Sequence, residues 1–451
     1  MVTNVERVTI LRPLRHHTRG AEPKREKERA MSDASFKPDD SAGDSHAPLS
    51  LAPLAAARPT VEPAVVLHVR TSRGGGGEAE RNIMRLAASG VAPYLRQIVV
   101  ILHAPDDSGI EILLADARRI GCPILTVPRR GPLDTVAART LLQLCRQSRA
   151  ALWHAHDSQA SLLGVMLRSL WPMKLVTTVH ALHEGGGSLR QRVRHASDKI
   201  CLPRCDRVIA ASPAIREQCI DLSVADGQLS CIPFGIDLDS FKRTHSIRAA
   251  RVELGVWPEA VVMGVASPFT EEKGVDRAIR TFAQLLPRYS NLELHLVGDG
   301  PQYDALKQLA VELGVAAKVY FWGSQPTPQR WYEFFDLALV PGQDENFAAP
   351  VLEAMAMEVP AAATRVGGAD VLLKDGRCGV LLDPRRPETW ADEIAPLIVS
   401  EDRRRELGRR ARARAEKHFG LTRRAEKIVA IYDELLSIAP QKIDLSWRRA
   451  A

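Results

Sequence analysis

The sequence predicts an α/β protein with two doubly wound domains, each built around a parallel sheet that helices cover on both faces. The first observation is that short apolar, β-branched runs alternate with longer helical stretches from Ala64 onward. Such runs are typical of parallel strands, because both faces of these strands are buried. The second is that the runs fall into two series separated by a polar stretch. The third is the length of 451 residues, which exceeds what one hydrophobic core usually supports.

The strand candidates can be placed in order along the chain. The first series is VVLHV (65–69), IVVIL (98–102), ALWHA (151–155), KLVTTV (174–179), RVIAA (207–211) and LSCIP (229–233). The second is VVMGVA (261–266), LELHLVG (292–298), KVYFWG (318–323), LALVPG (337–342), VPAAAT (359–364) and GVLLD (379–383). Beyond 383 the pattern is helical. We therefore expect one domain at 63–243, a second at 244–414, and C-terminal helices at 415–451 that return to the first domain.

The N-terminal segment 1–62 differs from the rest of the chain. Charged clusters are followed by a tract rich in Ser, Asp, Pro and Ala without sustained periodicity, which predicts a disordered leader. It lacks the apolar core of a secretory signal, and its acidic residues argue against a transit peptide. Met31 is a candidate alternative start.

Composition and charge exclude several classes of protein. Apolar residues make up 45% of the chain, but no apolar run reaches the ~18 residues that a membrane span needs. The net charge of +7 is spread along the chain and does not indicate a nucleic-acid partner. We expect a cytoplasmic protein, with a peripheral position at the inner face of the membrane as a further candidate location.

No metal site or disulfide framework is predicted. The seven cysteines are odd in number and irregularly spaced, and no second ligand pair follows Cys201 and Cys205 at zinc-site distance. In WHAHDSQ, His154 and His156 share a strand face without a third ligand nearby, so we interpret them, with Asp157, as cleft-lining residues.

A pair of glutamates gives the strongest indication of function. Glu345 and Glu353 are separated by seven residues that include Pro350, a residue favoured at the start of a helix. The preceding strand candidate ends in Pro-Gly, so the loop leaves the carboxyl edge of a parallel sheet, where such folds bind ligands. Amides at a helix start suit phosphate, and carboxylates accept hydrogen bonds from hydroxyls. A nucleotide sugar offers both groups. The alternative is that Glu353 only complements the helix dipole and Glu345 is solvated.

The sequence resembles the retaining glycosyltransferases of family four, which have two Rossmann-like domains facing a cleft, a fold called GT-B. The resemblance covers roughly residues 64–435. In the second half it is carried by ENFAAPVLEAM (345–355), EEKGVDRAI (271–279), LHLVGDGP (294–301) and VYFWGS (319–324). In the first half it is carried by RGGGGEAERNIMRLA (73–87), TTVHA (177–181), CDRVIAASPAIRE (205–217) and CIPFGID (231–237).

The resemblance implies roles for individual residues. Glu345 would contact the hydroxyls of the donor sugar, Lys273 the diphosphate, and His180 the reaction centre; these three are the expected catalytic residues. The implied donor-binding residues are Gly75, Gly76, Gly77, Ser267, Gly298, Trp322, Asn346, Phe347, Ala348 and Glu353, the last binding the ribose.

The resemblance also implies a reaction. A sugar would pass, with retention of anomeric configuration, from a UDP- or GDP-sugar to a glycan or lipid-linked acceptor. Neither a cofactor nor a metal is expected, and surface or exopolysaccharide biosynthesis is the expected role.

Several positions depart from the family pattern. Ala348 replaces a usual glycine, and Glu358 and Val359 stand where glycine and proline are common. Ser267 and Pro268 occupy the places of an arginine that often precedes the family's lysine, which leaves the diphosphate with fewer cations. A catalytically inactive GT-B scaffold is therefore an alternative, although the retained glutamates, lysine and histidine argue for activity.

An NAD-dependent dehydrogenase is the alternative from another class of enzyme. Gly74, Gly76 and Ala79 fit a dinucleotide-binding fingerprint, but four consecutive glycines satisfy almost any glycine pattern. The acidic residues at 106–107 come late after the second strand candidate, and this interpretation gives Lys273 and the glutamates no task.

A basic stretch adds one candidate partner. The segment LHEGGGSLRQRVRHASDKICLP (182–203) contains three glycines followed by Arg190, Arg192, Arg194 and Lys199. It is either a solvated basic helix or a contact with an anionic membrane surface or a phosphorylated lipid acceptor.

Overall fold

The computed structural model describes residues 63–72, 77–131, 134–180, 182, 189–325, 328–343 and 349–438. The expected leader at 1–62 lies outside these residues, as does the end of the chain from 439. None of the described helices has both the length and the apolar character needed to cross a bilayer.

The first domain contains a sheet of seven parallel strands in the order β3-β2-β1-β4-β5-β6-β7. Its strands are β1 Ala64–Thr71, β2 Leu95–His103, β3 Ile124–Pro128, β4 Ala150–Ala155, β5 Lys174–Val179, β6 Arg207–Ala210 and β7 Leu229–Cys231. Its helices are α1 Glu78–Ala87, α2 Ile110–Ile120, α3 Thr135–Ser148, α4 Ser158–Arg168, α5 Leu189–Cys201 and α6 Pro213–Asp221.

The second domain contains a sheet of six parallel strands in the order β10-β9-β8-β11-β12-β13. Its strands are β8 Val261–Ala266, β9 Leu292–Val297, β10 Val319–Phe321, β11 Leu337–Val340, β12 Ala361–Thr364 and β13 Val380–Leu382. The helices are α7 Ile247–Leu254, α8 Val275–Leu285, α9 Tyr303–Glu312, α10 Gln329–Tyr332, α11 Ala349–Ala356, α12 Ala369–Leu373, α13 Trp390–Val399 and α14 Glu401–His418. The predicted α/β class with two doubly wound sheets is confirmed.

One strand was missing from the sequence-based prediction. In the part of the chain that the structure describes, strand β3 lies at an edge of the first sheet and pairs with β2 alone. It is short, and Pro123 and Pro128 flank or end it, so its apolar signal is weaker than that of the central strands.

The two sheets share a topology that fixes where ligands bind. In each sheet the strand order reverses at one point, between β1 and β4 in the first and between β8 and β11 in the second. Loops that leave the carboxyl ends of these strand pairs diverge to opposite faces and leave a crevice. Each domain therefore has one crevice at its switch point.

The C-terminal helix α15 (Leu421–Leu436) packs against the first sheet. Its buried Ala425, Ile428 and Val429 share a core cluster with Val66 and Leu152 of the central strands. The chain passes between the domains twice at one place, where Ile236 N donates to Phe419 O at 2.8 Å and Leu421 N donates to Ile236 O at 3.0 Å.

Candidate active site

A cavity of about 450 Å³, here the second-domain cavity, occupies the switch point of the second sheet. The loops after β8, β9 and β11 and the start of α11 form its wall. Its polar lining side chains, with the backbone of Gly298, are Arg81, Ser267, Lys273, Asp299, Ser324, Gln325, Glu353 and Thr364. Four predicted site residues, Ser267, Lys273, Gly298 and Glu353, are thus brought together.

Glycine at 298 lets the loops after β8 and β9 touch. Gly298 has a φ of +155°, and a Cβ at this position would lie 1.9 Å from the carbonyl oxygen of Ser267. The loops are also joined by a hydrogen bond from Phe269 N to Asp299 O at 2.9 Å. The Oγ atom of Ser267 is buried and has no hydrogen-bond partner within the described residues. The wall therefore presents a hydroxyl that a ligand can satisfy.

Lys273 is held by a short 3₁₀ turn, Glu271–Lys273, ahead of α8. The next residue, Gly274, has a φ of +61°, and a Cβ there would lie 2.4 Å from Pro341 O. Gln343 N donates to Glu272 O at 2.8 Å, which fastens the turn to the end of β11. The ammonium group consequently lies at the sheet edge where an anionic ligand would be bound.

Glu353 lies on α11, which begins at Ala349, one residue before the predicted start at Pro350. It faces a buried tyrosine: burial, followed by the charge and hydrogen bond of Glu353, raises the pKa of Tyr332 well above its usual range. The Tyr332 hydroxyl also lies 3.3 Å from Pro350 O. This tyrosine therefore positions the Glu353 carboxylate at the cavity wall.

A smaller cavity of about 220 Å³, here the bridging cavity, lies between the domains. Asn82, His180 and Phe234 line it from the first-domain side, and Leu352 and Glu353 line it from the second. Glu353 thus faces both this cavity and the second-domain cavity.

His180 follows β5 and stacks on Phe234 with ring centroids 4.8 Å apart. Both ring nitrogens are buried without a hydrogen-bond partner among the described residues. Burial, with smaller effects from the charges of Arg70 and Arg424, lowers the pKa of His180 well below its usual range. The imidazole is therefore neutral near pH 7 and has one donor and one acceptor available to a ligand.

A third cavity of about 850 Å³, here the first-domain cavity, lies at the switch point of the first sheet. It combines paired polar groups with an apolar wall. Arg70 Nε donates to Glu80 Oε1 at 2.6 Å, and Arg129 Nη1 donates to Gln159 Oε1 at 2.8 Å. The apolar part is formed by Leu162, Val179, Leu182, Val193 and Leu202. His180 lines this cavity too, so one side chain touches both ligand spaces.

Asp157 connects two elements of the first-domain cavity. Its carboxylate caps α4, accepting from Gln159 N and Ala160 N at 2.9 Å each. It also accepts from Thr71 N at the end of β1, at 2.6 Å. His156 and Asp157 line the first-domain cavity as predicted, but His154 does not. The prediction for His154 is therefore wrong, because its side chain lies beneath α15 and not in the cavity wall.

His154 belongs to a buried network beneath α15. Its Nδ1 hydrogen bonds to the Tyr432 hydroxyl at 2.5 Å and its Nε2 to Thr178 Oγ1 at 2.7 Å. His68, His154 and His156 have ligand atoms within 4.8 Å of one another, the one such group found among the described residues. The expectation that no third ligand lies near His154 and His156 is therefore wrong, because the neighbouring strand β1 brings His68 beside them. Hydrogen bonds engage both ring nitrogens of His68 and His154 and Nε2 of His156, whereas His156 Nδ1 is buried without a hydrogen-bond partner among the described residues. The fully buried Arg424 guanidinium nearby opposes a further cation. We therefore assign the group to a structural network.

Trp322 requires a correction. The resemblance placed it beside the donor, but it is not among the residues that line the second-domain cavity. Its indole N–H donates to His295 Nδ1 at 3.0 Å, and its ring packs on Trp331 with centroids 4.8 Å apart. The half-buried side chain packs against the core of the second domain, and Ser324 and Gln325 line the cavity instead.

Several other predicted site residues lie outside the residues that the structure describes. Glu345, Asn346, Phe347 and Ala348 fall in 344–348, and Gly75 and Gly76 fall in 73–76, so no position is assigned to them. Gly77 is described, and its amide donates to Glu80 Oε2 at 2.7 Å.

Comparison with known proteins decides the family. Residues 76–240 match the family described as Glycosyltransferase Family 4, and residues 248–414 match the one described as Glycosyl transferases group 1. A D-inositol 3-phosphate glycosyltransferase of Saccharomonospora viridis is 30% identical over 305 residues, covering 63% of this chain and 70% of that relative. The chain belongs to the family four, group 1 glycosyltransferases.

Other relatives agree with this assignment. The D-inositol 3-phosphate glycosyltransferase of Nocardia farcinica is 31% identical to this glycosyltransferase over 304 residues, covering 63% of this chain and 66% of that relative. The crystal structure of Anabaena HepE in complex with UDP-glucose has a TM-score of 0.70 at 23% identity, covering 82% of this chain and 99% of that one. WaaG, a glycosyltransferase involved in lipopolysaccharide biosynthesis, has a TM-score of 0.62 at 18% identity, covering 81% of this chain and 99% of that one. These structures show that the glycosyltransferase has the GT-B fold.

Two cavity residues had no signal in the sequence. Arg81 and Asn82 lie on α1, and each lines a cavity that includes residues of the second domain. Their side chains are ordinary for a helix that follows a glycine-rich loop. Only the placement of the two domains reveals them.

Proposed function

We propose that this glycosyltransferase transfers a sugar, with retention of configuration, from a UDP- or GDP-sugar to a glycan or lipid-linked acceptor. The observation that carries the proposal is the pair of cavities at the two switch points, with His180 and Glu353 between them. The donor occupies the second-domain cavity, where Lys273 supplies a cation. The acceptor occupies the first-domain cavity. HepE in complex with UDP-glucose makes UDP the first nucleotide to test.

The chemistry follows from the residues at the donor. When an acceptor hydroxyl attacks the anomeric carbon, the bond to the diphosphate breaks and negative charge develops on the leaving β-phosphate. Lys273 stabilises that charge, and Glu353 accepts hydrogen bonds from the ribose hydroxyls. Attack on the face from which the diphosphate leaves retains the configuration without an enzyme-bound sugar. The acceptor proton then passes to a departing phosphate oxygen. No metal or cofactor enters this proposal.

The first experiment measures turnover and binding across UDP- and GDP-sugars. We expect one donor to raise the melting temperature and to support transfer or slow hydrolysis. Lys273→Ala should lower kcat/KM about 10²–10³-fold, because a charge-assisted contact made in the transition state is lost. Lys307→Ala, which removes an exposed lysine of the same domain outside the cavity, should leave the rate unchanged. Near-parental activity of Lys273→Ala would contradict the proposed role.

The same panel separates the alternatives. An inactive scaffold would bind a nucleotide sugar without turnover, and a dehydrogenase would respond to NAD instead. The acceptor arm should include D-inositol 3-phosphate, the compound in the names of the relatives, beside lipid-linked and soluble glycans. A surface or exopolysaccharide pathway and a cytoplasmic position at the inner membrane face complete the proposal, with α5 as the element that would contact the membrane.

A further inference from the structure

The second-domain cavity has one lining residue from the opposite domain. All its other lining residues fall between 265 and 366, whereas Arg81 lies on α1 of the first domain. Arg81 therefore contributes to the wall of a cavity that the second domain otherwise builds.

The charged residues that line this cavity show that Arg81 adds a second cation to it. The charged side chains in its lining are two carboxylates, Asp299 and Glu353, and two cations, Lys273 and Arg81. Ser267 and Pro268 also line it, and they occupy the places where an arginine is common in the family. Within the second domain, Lys273 is thus the one cationic lining residue that the described part of the chain provides. A diphosphate carries more charge than one ammonium offsets, and a guanidinium can bind phosphate oxygens in bidentate geometry.

Hydrogen bonds anchor the start of the helix that carries Arg81, and Arg81 itself contacts α2. Glu80 holds the start of α1 by accepting from Gly77 N at 2.7 Å and from Arg70 Nε at 2.6 Å. The Arg81 guanidinium lies 3.4 Å from Asp116 Oδ2 on α2, and its side chain is 33% exposed. A contact of this length is weak for a charged pair. Asp116 also pairs with Arg119 at 3.0 Å, so it does not depend on Arg81 for a counter-charge.

We propose that Arg81 is a second cationic ligand of the nucleotide's diphosphate, supplied across the cleft from the first domain. The inference rests on the proposed function, since it assigns the diphosphate to the second-domain cavity. It means that a bound nucleoside diphosphate contacts both domains at once, through Lys273 from one side and Arg81 from the other. The affinity contributed by Arg81 should therefore appear with a diphosphate and be absent with a nucleoside.

The test measures binding of UDP, GDP and the corresponding nucleosides by calorimetry. For the diphosphate that the parent binds, Arg81→Ala should weaken affinity about 10–100-fold, the expected effect of losing a hydrogen-bonded charged partner. Affinity for the nucleoside should change less than about 3-fold. Arg81→Lys should recover part of the loss, and added salt should reduce the difference between parent and Arg81→Ala.

Arg119→Ala is the matched control, because it removes the other partner of Asp116 from a position outside the cavity. It should bind UDP or GDP as the parent does, and urea unfolding should confirm that both variants are folded. Equal diphosphate affinity of the parent and Arg81→Ala would overturn the inference and leave the proposed function standing. Equal losses in Arg81→Ala and Arg119→Ala would overturn it as well. A parent that binds neither diphosphate would contradict the proposed function itself.

Discussion

The donor side of the site depends on single residues whose backbone permits close contact. Gly298 illustrates this, because it has a φ of +155° and a Cβ added to it would lie only 1.9 Å from Ser267 O. Ser267 and the loop after β9 can line the same cavity only while this contact persists. A side chain at 298 would separate the loops that end β8 and β9.

Substituting Gly298 should therefore affect stability and binding together. Gly298→Ala should lower the free energy of unfolding by more than about 3 kcal/mol, since backbone strain and overlap with a carbonyl add. Gly314→Ala is the matched control: its φ is +70° and nothing lies within 4 Å of an added Cβ, so only strain of about 1–2 kcal/mol is expected. Urea unfolding of both variants measures the difference. Equal losses would show that the contact with Ser267 O is unimportant.

At the scale of single residues, the sequence predicted the site residues that belong to short local motifs. Ser267, Lys273, Gly298 and Glu353 were inferred from short segments and do share one cavity. Arg81 was not inferred, because its role depends on how two distant segments face each other. Trp322 was placed wrongly for a similar reason: the motif fixes the strand end, but packing on Trp331 fixes the side chain.

One departure from the family pattern, Glu358, has a backbone conformation that favours glycine. Glu358 stands where glycine is common, and it keeps the left-handed conformation with a φ of +57°. A non-glycine residue there costs on the order of 1 kcal/mol. This turn lies against α14, because a Cβ at Gly408 of that helix would be 2.1 Å from Glu358 O.

Among the elements, α5 joins the first-domain cavity to an exposed surface. Val193 and Ile200, seven residues apart and therefore on one face of the helix, are 62% and 53% exposed. Arg192 and Lys199 are exposed beside them, and Val193 also lines the cavity. An apolar stripe with flanking cations fits the boundary of an anionic bilayer, from which a lipid-linked acceptor could enter the cavity.

This membrane contact can be tested with vesicles. We expect the protein to sediment with vesicles rich in phosphatidylglycerol at low salt and to remain free with neutral phosphatidylcholine, because of the basic residues. Ile200→Glu should weaken the association about 10-fold or more by removing apolar burial and adding repulsion. Val311→Glu changes an apolar residue that is 67% exposed on α9 of the second domain and should have no effect. If the two variants behave alike, or if lipid charge is irrelevant, α5 is a solvated helix.

The elements also show the limit of patterns along the chain. Central strands such as β1 and β5 were found because burial on both faces gives them runs of apolar and β-branched residues. Edge strand β3 was overlooked because it has one partner and ends in proline. The C-terminal helices are expected from the sequence to return to the first domain, but the contacts of α15 with Val66 and Leu152 join residues hundreds of positions apart, and the pattern of either segment alone does not specify them.

For the whole molecule, the network beneath α15 links stability to pH. Burial lowers the pKa of His68 to about 4, although its hydrogen bond to Gln97 opposes the shift. Burial also lowers the pKa of His154 and His156 well below the usual range, and the Arg424 and Arg70 guanidiniums add to this effect. The folded protein therefore holds these rings neutral at a pH where the unfolded chain, with a pKa near 6.5 for each, binds protons.

The sign of the pH dependence follows from proton counts. Between about pH 6.5 and 4 the unfolded chain binds more of these protons, so the free energy of unfolding falls as the solution becomes acidic. Each such histidine contributes a slope of about 1.4 kcal/mol per pH unit, and His68 alone accounts for about 3 kcal/mol of lost stability by pH 4.

Urea unfolding from pH 7.5 to 4.5 should show this loss. His68→Leu should reduce the slope of the unfolding free energy against pH by about 1.4 kcal/mol per pH unit, the contribution of one proton. Tyr432→Phe removes the hydroxyl that bonds to His154 without removing a group that titrates in this range, so it should lower stability equally at each pH. An unchanged slope in His68→Leu would show that the buried histidines do not couple folding to pH.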